Sequence, residues 1–193
     1  MNPVKLITPS TLTPVTLTEA KAHLKVTSTD EDALIQTYLD AAIKRVENYR
    51  QSPVMSSEWE LYAKTWDWNI NLQKHPVTAI NSVKYYDDTN TLQTAASSSY
   101  RLLDFMQPCR LEFDSSTFDE PSTYDRDWPI VVNFQAGYTY AASAHYAAIK
   151  HVILLELGTY NELRQTEMAG MGLANVQMKN VSMELLDAEC MWL

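Results

Sequence analysis

Acidic residues are concentrated in one segment, and their carboxylates are the first candidates for chemistry. They lie between positions 114 and 127 and are Asp114, Asp119, Glu120, Asp125 and Asp127. Carboxylates in a loop can bind a hard cation such as Ca²⁺, but this spacing does not match an EF-hand loop. The pattern therefore favours a solvated acidic loop over a metal site.

The other residue types that commonly form active sites give no recognisable pattern. His23, His75, His145 and His151 show no HExxH spacing, and Cys109 and Cys190 lie outside any CxxC pair. The glycines are too dispersed for a phosphate-binding loop, and no serine lies in a GxSxG motif. We therefore expect no catalytic residue, no cofactor and no metal, and the chain is predicted not to be an enzyme. Widely spaced cysteines favour reduced thiols.

Tryptophans could stack on nucleic-acid bases or form a ligand cage, and four of them occur in the middle of the chain. They are Trp59, Trp66, Trp68 and Trp128. The chain has a formal net charge of −9, with residues 1–50 neutral and residues 51–140 at −6. Without a cluster of Lys and Arg, it lacks the charge that tight phosphate binding requires. Core and interface roles are therefore favoured for these tryptophans.

Apolar spacing predicts two long helices that pack together. Between residues 30 and 50, apolar side chains recur at three- and four-residue intervals, and the same period returns between 146 and 163. Thr16 and Glu19 form a capping-box pattern that begins a shorter helix. The residues expected to form the packed faces are Ile35, Leu39, Ile43, Val46, Ile149, Ile153 and Leu157.

Between these helices the apolar period changes from helical to two, which predicts strands. Such patterns occur at 59–63, 70–72, 80–86, 91–93, 100–105, 110–113 and 130–134, and residues 87–90 are typical of a hairpin turn. The predicted class is therefore α+β: a helical core formed by an N-terminal helix pair and a long C-terminal helix, with an inserted small antiparallel β domain and an extended C-terminal tail. The expected divisions are 1–53 (an extended arm and helical core), 54–138 (β domain), 139–167 (long helix) and 168–193 (joint and tail).

Several stretches resemble the head-tail connector, or adaptor, proteins of tailed bacteriophages. Residues 14–26 read PVTLTEAKAHLKV and residues 30–35 read DEDALI, which is similar to the opening of those proteins. Residues 134–138, FQAGY, resemble the motif that returns the chain to the helices, and residues 148–162 resemble the long helix. The resemblance implies a helical core that is interrupted by a β-rich segment.

The resemblance also implies a structural role in the virion. In that role the chain forms a homo-oligomeric ring, dodecameric by resemblance, beneath the portal and joins the head to the tail. Expected partners are the portal protein and a tail or neck completion protein, while DNA passes through the channel without specific binding. An acidic wall agrees with this, because it does not retain DNA. A non-viral oligomeric interaction module is the alternative, and a hydrolase using the loop carboxylates is a weaker third hypothesis.

The expected location is the head-tail neck, after synthesis in the host cytoplasm. No run approaches the roughly 18 apolar residues of a membrane span, and a signal-peptide pattern is absent from the N-terminal residues. No membrane association is therefore expected.

The C-terminal segment is the predicted portal-binding site. Residues 176–193 follow a glycine-containing joint and are too short to form a stable helix alone. The resemblance implies that this segment reaches into the portal, whereas docking back onto its own core is the alternative. The apolar side chains expected to bind are Val181, Met183, Leu185, Leu186, Met191 and Trp192.

Overall fold

A computed structural model of the chain describes residues 2–106, 108–139 and 144–162. Helices and antiparallel strands are both present in these ranges, which confirms the α+β class. The helices are α1 (Leu17–Leu24), α2 (Asp32–Arg50) and α3 (Ala144–Glu162), with a short 3₁₀ helix at Ser97–Ser99. The strands are β1 (Val4–Thr8), β2 (Ser57–Ala63), β3 (Asn69–Asn71), β4 (Val77–Tyr86), β5 (Leu92–Thr94), β6 (Tyr100–Leu103), β7 (Arg110–Phe113) and β8 (Ile130–Ala136). None of the helices in the described ranges is long and apolar enough to span a bilayer.

The chain divides into two compact units, which differ from the predicted division at the N-terminus. The β unit comprises Met1–Leu12 and Met55–Thr139, and the helical unit comprises Thr13–Val54 together with α3. The first residues were expected to be an extended arm grouped with the helices, and this was wrong, because β1 pairs with β2. The strand is short, exposed and followed by prolines at 9 and 14, so no alternating pattern marks it in the sequence.

The helical unit has its core between α2 and α3, with α1 packed against both. Six of the seven residues expected at this packing are buried, and Ile43 is half-buried. Leu34 and Tyr49, which also follow the apolar period of α2, are 37% and 41% exposed. The apolar stripe is therefore wider than the face that packs. The buried apolar residues among the described part of this unit are Val15, Ala20, Ile35, Leu39, Ala42, Val46, Val54, Ile149, Val152, Ile153 and Leu157.

The two N-terminal helices begin in different ways. At α1 the predicted capping box is present: the Glu19 N–H donates to Thr16 Oγ1 (3.3 Å), and the Thr16 N–H donates to Glu19 Oε2 (3.0 Å). α2 begins at Asp32, two residues after the start of the predicted apolar period, and its N-cap, Glu31, makes no side-chain cap bond. The carboxylate of Asp32 instead accepts from the Lys21 ammonium on α1. This acidic residue joins two helices and does not cap one.

The β unit contains two antiparallel sheets that share one core. The larger sheet has the order β1-β2-β8-β4-β5, and the smaller has the order β3-β7-β6. Along β8, Ile130, Val132, Phe134 and Ala136 are buried while the intervening side chains face outward, as expected of a strand with one covered face. Ile70 and Leu111 of the smaller sheet belong to the same apolar cluster.

Gly137 lies where the chain enters and leaves the β unit. Its φ is +109°, and a Cβ at this position would lie 2.4 Å from the carbonyl oxygen of Met55. The adjoining segments are tied together, since the Ser56 N–H donates to the Tyr138 oxygen (3.0 Å) and the Gly137 N–H donates to the Pro76 oxygen (2.8 Å). Only a residue without a side chain fits this crossing.

Candidate assembly surfaces

Ion pairs connect α3 to the N-terminal helices of the helical unit. Lys150 Nζ lies 2.6 Å from Glu19 Oε1 on α1, and Arg45 Nε of α2 lies 3.3 Å from Glu156 Oε2. Glu156 is buried, so the paired arginine offsets part of the desolvation of its charge. These contacts fix how the helices of this unit are placed against one another.

Glu19 serves both the cap of α1 and the contact with α3. Its pKa is lowered, chiefly by the hydrogen bond from Lys150 and then by the Thr16 N–H. One oxygen accepts from the lysine while the other accepts from Thr16. A carboxylate in this position remains ionised over the pH range in which ordinary glutamates begin to protonate.

The outward face of the larger sheet carries a hydrogen-bonded polar group centred on Glu58. The Thr8 hydroxyl donates to Glu58 Oε2 (2.8 Å), and Asn81 Nδ2 donates to Asn133 Oδ1 (2.7 Å). Hydrogen bonds from Thr8, then Asn133 and Asn81, lower the pKa of Glu58. These residues come from β1, β2, β8 and β4, so the network spans the sheet and presents a polar surface to solvent.

The acidic segment 114–127 is a loop, but it is anchored to the β unit. The ring of Phe118 stacks on Phe113 with centroids 4.3 Å apart and meets Trp66 edge-on at 5.0 Å. The indole N–H of Trp66 donates to the Pro121 oxygen (2.9 Å), and the Arg126 guanidinium lies 3.8 Å above the ring of Tyr86. Its acidic side chains are therefore displayed from a fixed backbone.

The cleft beside the loop is small. It lies next to Trp68 and Phe118 and encloses about 10 Å³, far below the roughly 300 to 1,000 Å³ of typical ligand pockets. Within the described ranges no three His, Cys, Asp or Glu side chains are placed to hold a metal ion. The tryptophans do not converge on one cage either: Trp66 and Trp68 contact Phe118, while Trp59 lies under the Lys74 ammonium.

Several large apolar side chains of the β unit are exposed at strand edges and loops, and of these the sequence analysis singled out only Trp68 and Trp128. Leu6 and Ile7 on β1 and Leu92 on β5 lie at the two outer strands of the larger sheet. Strand order depends on contacts between distant segments, so the local pattern could not reveal which strands are outermost. The exposed large apolar residues of this unit in the described ranges are Leu6, Ile7, Leu12, Trp68, Leu92, Phe105, Tyr124 and Trp128.

The predicted portal-binding residues, Val181, Met183, Leu185, Leu186, Met191 and Trp192, lie outside the described residues. Their role stays a prediction. In the described part of the chain, His145 and His151 lie on α3 as expected.

Comparison with known proteins decides the family. The family model described as phage gp6-like head-tail connector protein matches residues 14–110, which is half of the chain. The chain belongs to this family. The match runs from α1 through β6, and it confirms the resemblance that the N-terminal helices suggested. The connector therefore has a structural role of the phage head-tail type. No curated protein matches it.

Solved structures of similar fold extend the comparison beyond residue 110. A chain from the neck of an empty GTA particle, computed with C6 symmetry, superposes with a TM-score of 0.70 at 24% identity, covering 86% of the connector and 87% of that chain. A chain from the virion of a native gene transfer agent (GTA) particle gives 0.68 at 22%, with 88% and 89% covered. A chain from the neck of a native GTA particle computed with C12 symmetry gives 0.68 at 23%, with 88% of each chain covered. At these identities the likeness establishes the fold.

Proposed function

We propose that the connector assembles as a dodecameric ring beneath the portal of a phage-like head, where it joins the head to the tail and forms part of the DNA channel. The observation that carries this proposal is the family match across α1, α2 and most of the β unit. The fold agrees with it over nearly the whole chain, and the similar chains come from necks computed with C6 and C12 symmetry. The proposed location is accordingly the neck of the virion.

Charge supports passage of DNA without binding. The described acidic loop residues Asp119, Glu120, Asp125 and Asp127 are exposed, and the whole chain has a net charge of −9. Counterion release cannot drive binding where no group of lysines and arginines faces the phosphates. An acidic ring would therefore let DNA slide through it.

The proposed contact with the portal is the C-terminal segment, residues 176–193. Its methionines and Trp192 have the adaptable and anchoring character that is typical of segments ordered by a partner's groove. Deleting 176–193 should leave a soluble protein with an unchanged melting temperature that no longer binds the portal. An aggregated or unfolded product would support the alternative, in which the tail docks on its own core.

Electron microscopy of the purified connector with the portal protein from the same source tests the function itself. The expected result is rings of twelve copies seated on the portal. Rings that form without any affinity for the portal would favour the alternative, an oligomeric interaction module outside a virion. A chain that stays monomeric with the portal present would overturn the proposal.

A further inference from the structure

The larger sheet of the β unit ends in two open edges. β1 pairs on one side with β2, and β5 pairs on one side with β4; within the described residues no further strand covers either. Open edges present unpaired N–H and C=O groups, which can hydrogen-bond to a strand of another chain. These two edges are therefore potential sites of strand addition.

The register identifies the groups that face outward. On β1, the Tyr62 N–H donates to the Pro3 oxygen, so Lys5 bonds with Glu60 while the backbone groups of Val4 and Leu6 point to the open side. On β5, bonds from Asp87 to Thr91 and from Ala95 to Val83 place the backbone groups of Leu92 and Thr94 on the open side in the same way. Each edge thus offers two residues in extended conformation.

Apolar side chains accompany both sets of free backbone groups. Leu6 is 41% exposed and Ile7 39% on β1, and Leu92 is 48% exposed on β5. Both edges therefore place apolar side chains beside an added strand, where they can contact its side chains while the backbones form hydrogen bonds.

Strand direction decides which edges can meet in a ring. Every neighbour in the five-stranded sheet is antiparallel, so β1 and β5 point the same way. A ring repeats one protomer by rotation and brings two different surfaces together, so β5 would meet β1 of the next copy in parallel. A two-fold dimer would instead pair β1 with β1 in antiparallel orientation.

Charge favours the parallel arrangement. Lys5 lies near the start of β1, and Asp87 and Asp88 lie in the turn immediately before β5. The pKa of Asp87 is lowered to about 2 because Thr89, Gln93 and Thr91 donate to it, so this carboxylate is ionised at neutral pH. Two parallel strands begin at the same end of a sheet, so Lys5 of β1 would lie next to the acidic turn that precedes β5. An antiparallel pair would place it at the far end of β5.

We propose that β1 of one connector pairs in parallel with β5 of a second copy, so that the larger sheets of neighbouring protomers join edge to edge around the ring. This inference rests on the ring of the proposed function. It adds the surface through which the protomers bind each other.

Cysteine cross-linking tests the pairing. In a parallel pair, a residue whose backbone groups face the partner lies opposite one whose groups face away, so Leu92 shares a sheet face with Lys5 of the next copy. The double variant Lys5→Cys/Leu92→Cys is made in a Cys190→Ser background, while Cys109 is buried and stays. After assembly with the portal, a short bis-maleimide should produce a ladder of multimers from the double variant and monomers from either single variant. The pair Leu34→Cys/Leu92→Cys, also exposed but with one member on α2, is the control and should give no ladder.

The other outcomes separate the two proposals. Dimers from Lys5→Cys alone would mean that β1 meets β1 about a two-fold axis, which overturns the inference. Rings that are visible by microscopy but yield no ladder would overturn the edge pairing and leave the proposed function intact. A parent chain that forms no ring with the portal overturns both.

Exchanging the charges of Lys5 and Asp88 provides a second measurement, because unfolding of the variants would not be reversed in the double variant. Lys5→Asp should weaken assembly by roughly two- to five-fold per interface, as should Asp88→Lys, and the double variant should restore it. Asp88 is used because the Asp87 carboxylate holds its own turn. Lys44→Asp on α2 changes the net charge by the same amount as Lys5→Asp and should have no effect on assembly. Failure of the double variant to recover would contradict the predicted proximity of these charges.

Discussion

At the residue scale, Gly137 is the glycine whose backbone conformation and neighbours tolerate a side chain least. Its positive φ and the 2.4 Å distance from a Cβ to Met55 O leave no side chain room. Gly137→Ala should lower the free energy of unfolding by about 2 to 5 kcal/mol, because strain and overlap with backbone add. Urea denaturation followed by circular dichroism measures this change.

Gly158 on α3 is the matched control for that substitution. Among the residues that the structure describes, a Cβ there would meet only His23 Nε2, at 3.8 Å, which is an ordinary contact. Gly158→Ala should leave stability unchanged or raise it by up to about 1 kcal/mol, because alanine is the better helix former. Equal losses for the two variants would contradict the special role of Gly137.

Glu19 gives a prediction about pH. Its pKa is lowered in the folded state, so the stabilisation is complete above the ordinary carboxyl range and is lost as the pH falls through the lowered value. Glu19→Gln should cost about 0.5 to 1 kcal/mol at pH 7, a small value because the side chain is 44% exposed. Denaturant melts at pH 7 and pH 3 should show a smaller difference between variant and parent at the lower pH. Glu162→Gln, at an exposed position at the end of α3, is the matched control and should leave stability at pH 7 nearly unchanged.

At the element scale, the pairing of α2 with α3 is the main source of order in the helical unit. Ile35 and Ile153 are fully buried between helices. Ile35→Ala and Ile153→Ala should each destabilise the protein by about 2 to 5 kcal/mol through lost burial and a residual cavity. Leu34→Ala removes a similar side chain from an exposed position and should cost less than about 1 kcal/mol. Thermal melts of the three variants compare these effects.

The anchoring of loop 114–127 can be tested through Phe118. This ring contacts Trp66, Trp68 and Phe113, so Phe118→Ala should release the loop while the sheets stay folded. We expect limited proteolysis to cleave within 114–127 several-fold faster than in the parent, with about 1 to 3 kcal/mol of lost stability. Unchanged cleavage would mean that the remaining contacts hold the loop without Phe118.

Sequence patterns anticipated the elements better than the connections between them. The α2 and α3 helices and the β4–β5 hairpin follow from local periodicity and turn residues, and each lies close to its predicted place. The position of β1 and the anchoring of Phe118 depend on contacts with residues far along the chain, so no local pattern contained them. α2 begins two residues after the start of its apolar period, and the ion pair of Asp32 with Lys21 of another helix was likewise absent from any local pattern. The two open edges of the larger sheet could be identified only from its strand order.

At the scale of the whole molecule, charge is the property that follows most directly from composition. A connector with a net charge of −9 should show no shift of duplex DNA at physiological salt, even at protein concentrations near the roughly 10⁻⁴ to 10⁻⁶ M Kd of non-specific DNA binders. The triple variant Asp119→Asn/Glu120→Gln/Asp125→Asn should keep the fold, and any effect should appear in assembly or DNA passage. Retention of DNA by the parent protein would contradict the proposed DNA channel. Loss of a measurable turnover in the triple variant would instead favour an enzyme.

The central place of β8 has a consequence for how the protein is made. β8 lies between β2 and β4, yet β2 ends at Ala63 and β8 begins at Ile130. The ribosome therefore needs roughly 4 to 14 s after completing β2 to supply its partner. During this interval the edges of β2 and β4 that β8 will occupy stay open beside apolar faces, and Glu58, Glu60 and Lys84 supply charges of the kind that discourage association between nascent chains. The charged residues on the outward face of the finished sheet thus also discourage association of the nascent chain before the sheet is complete.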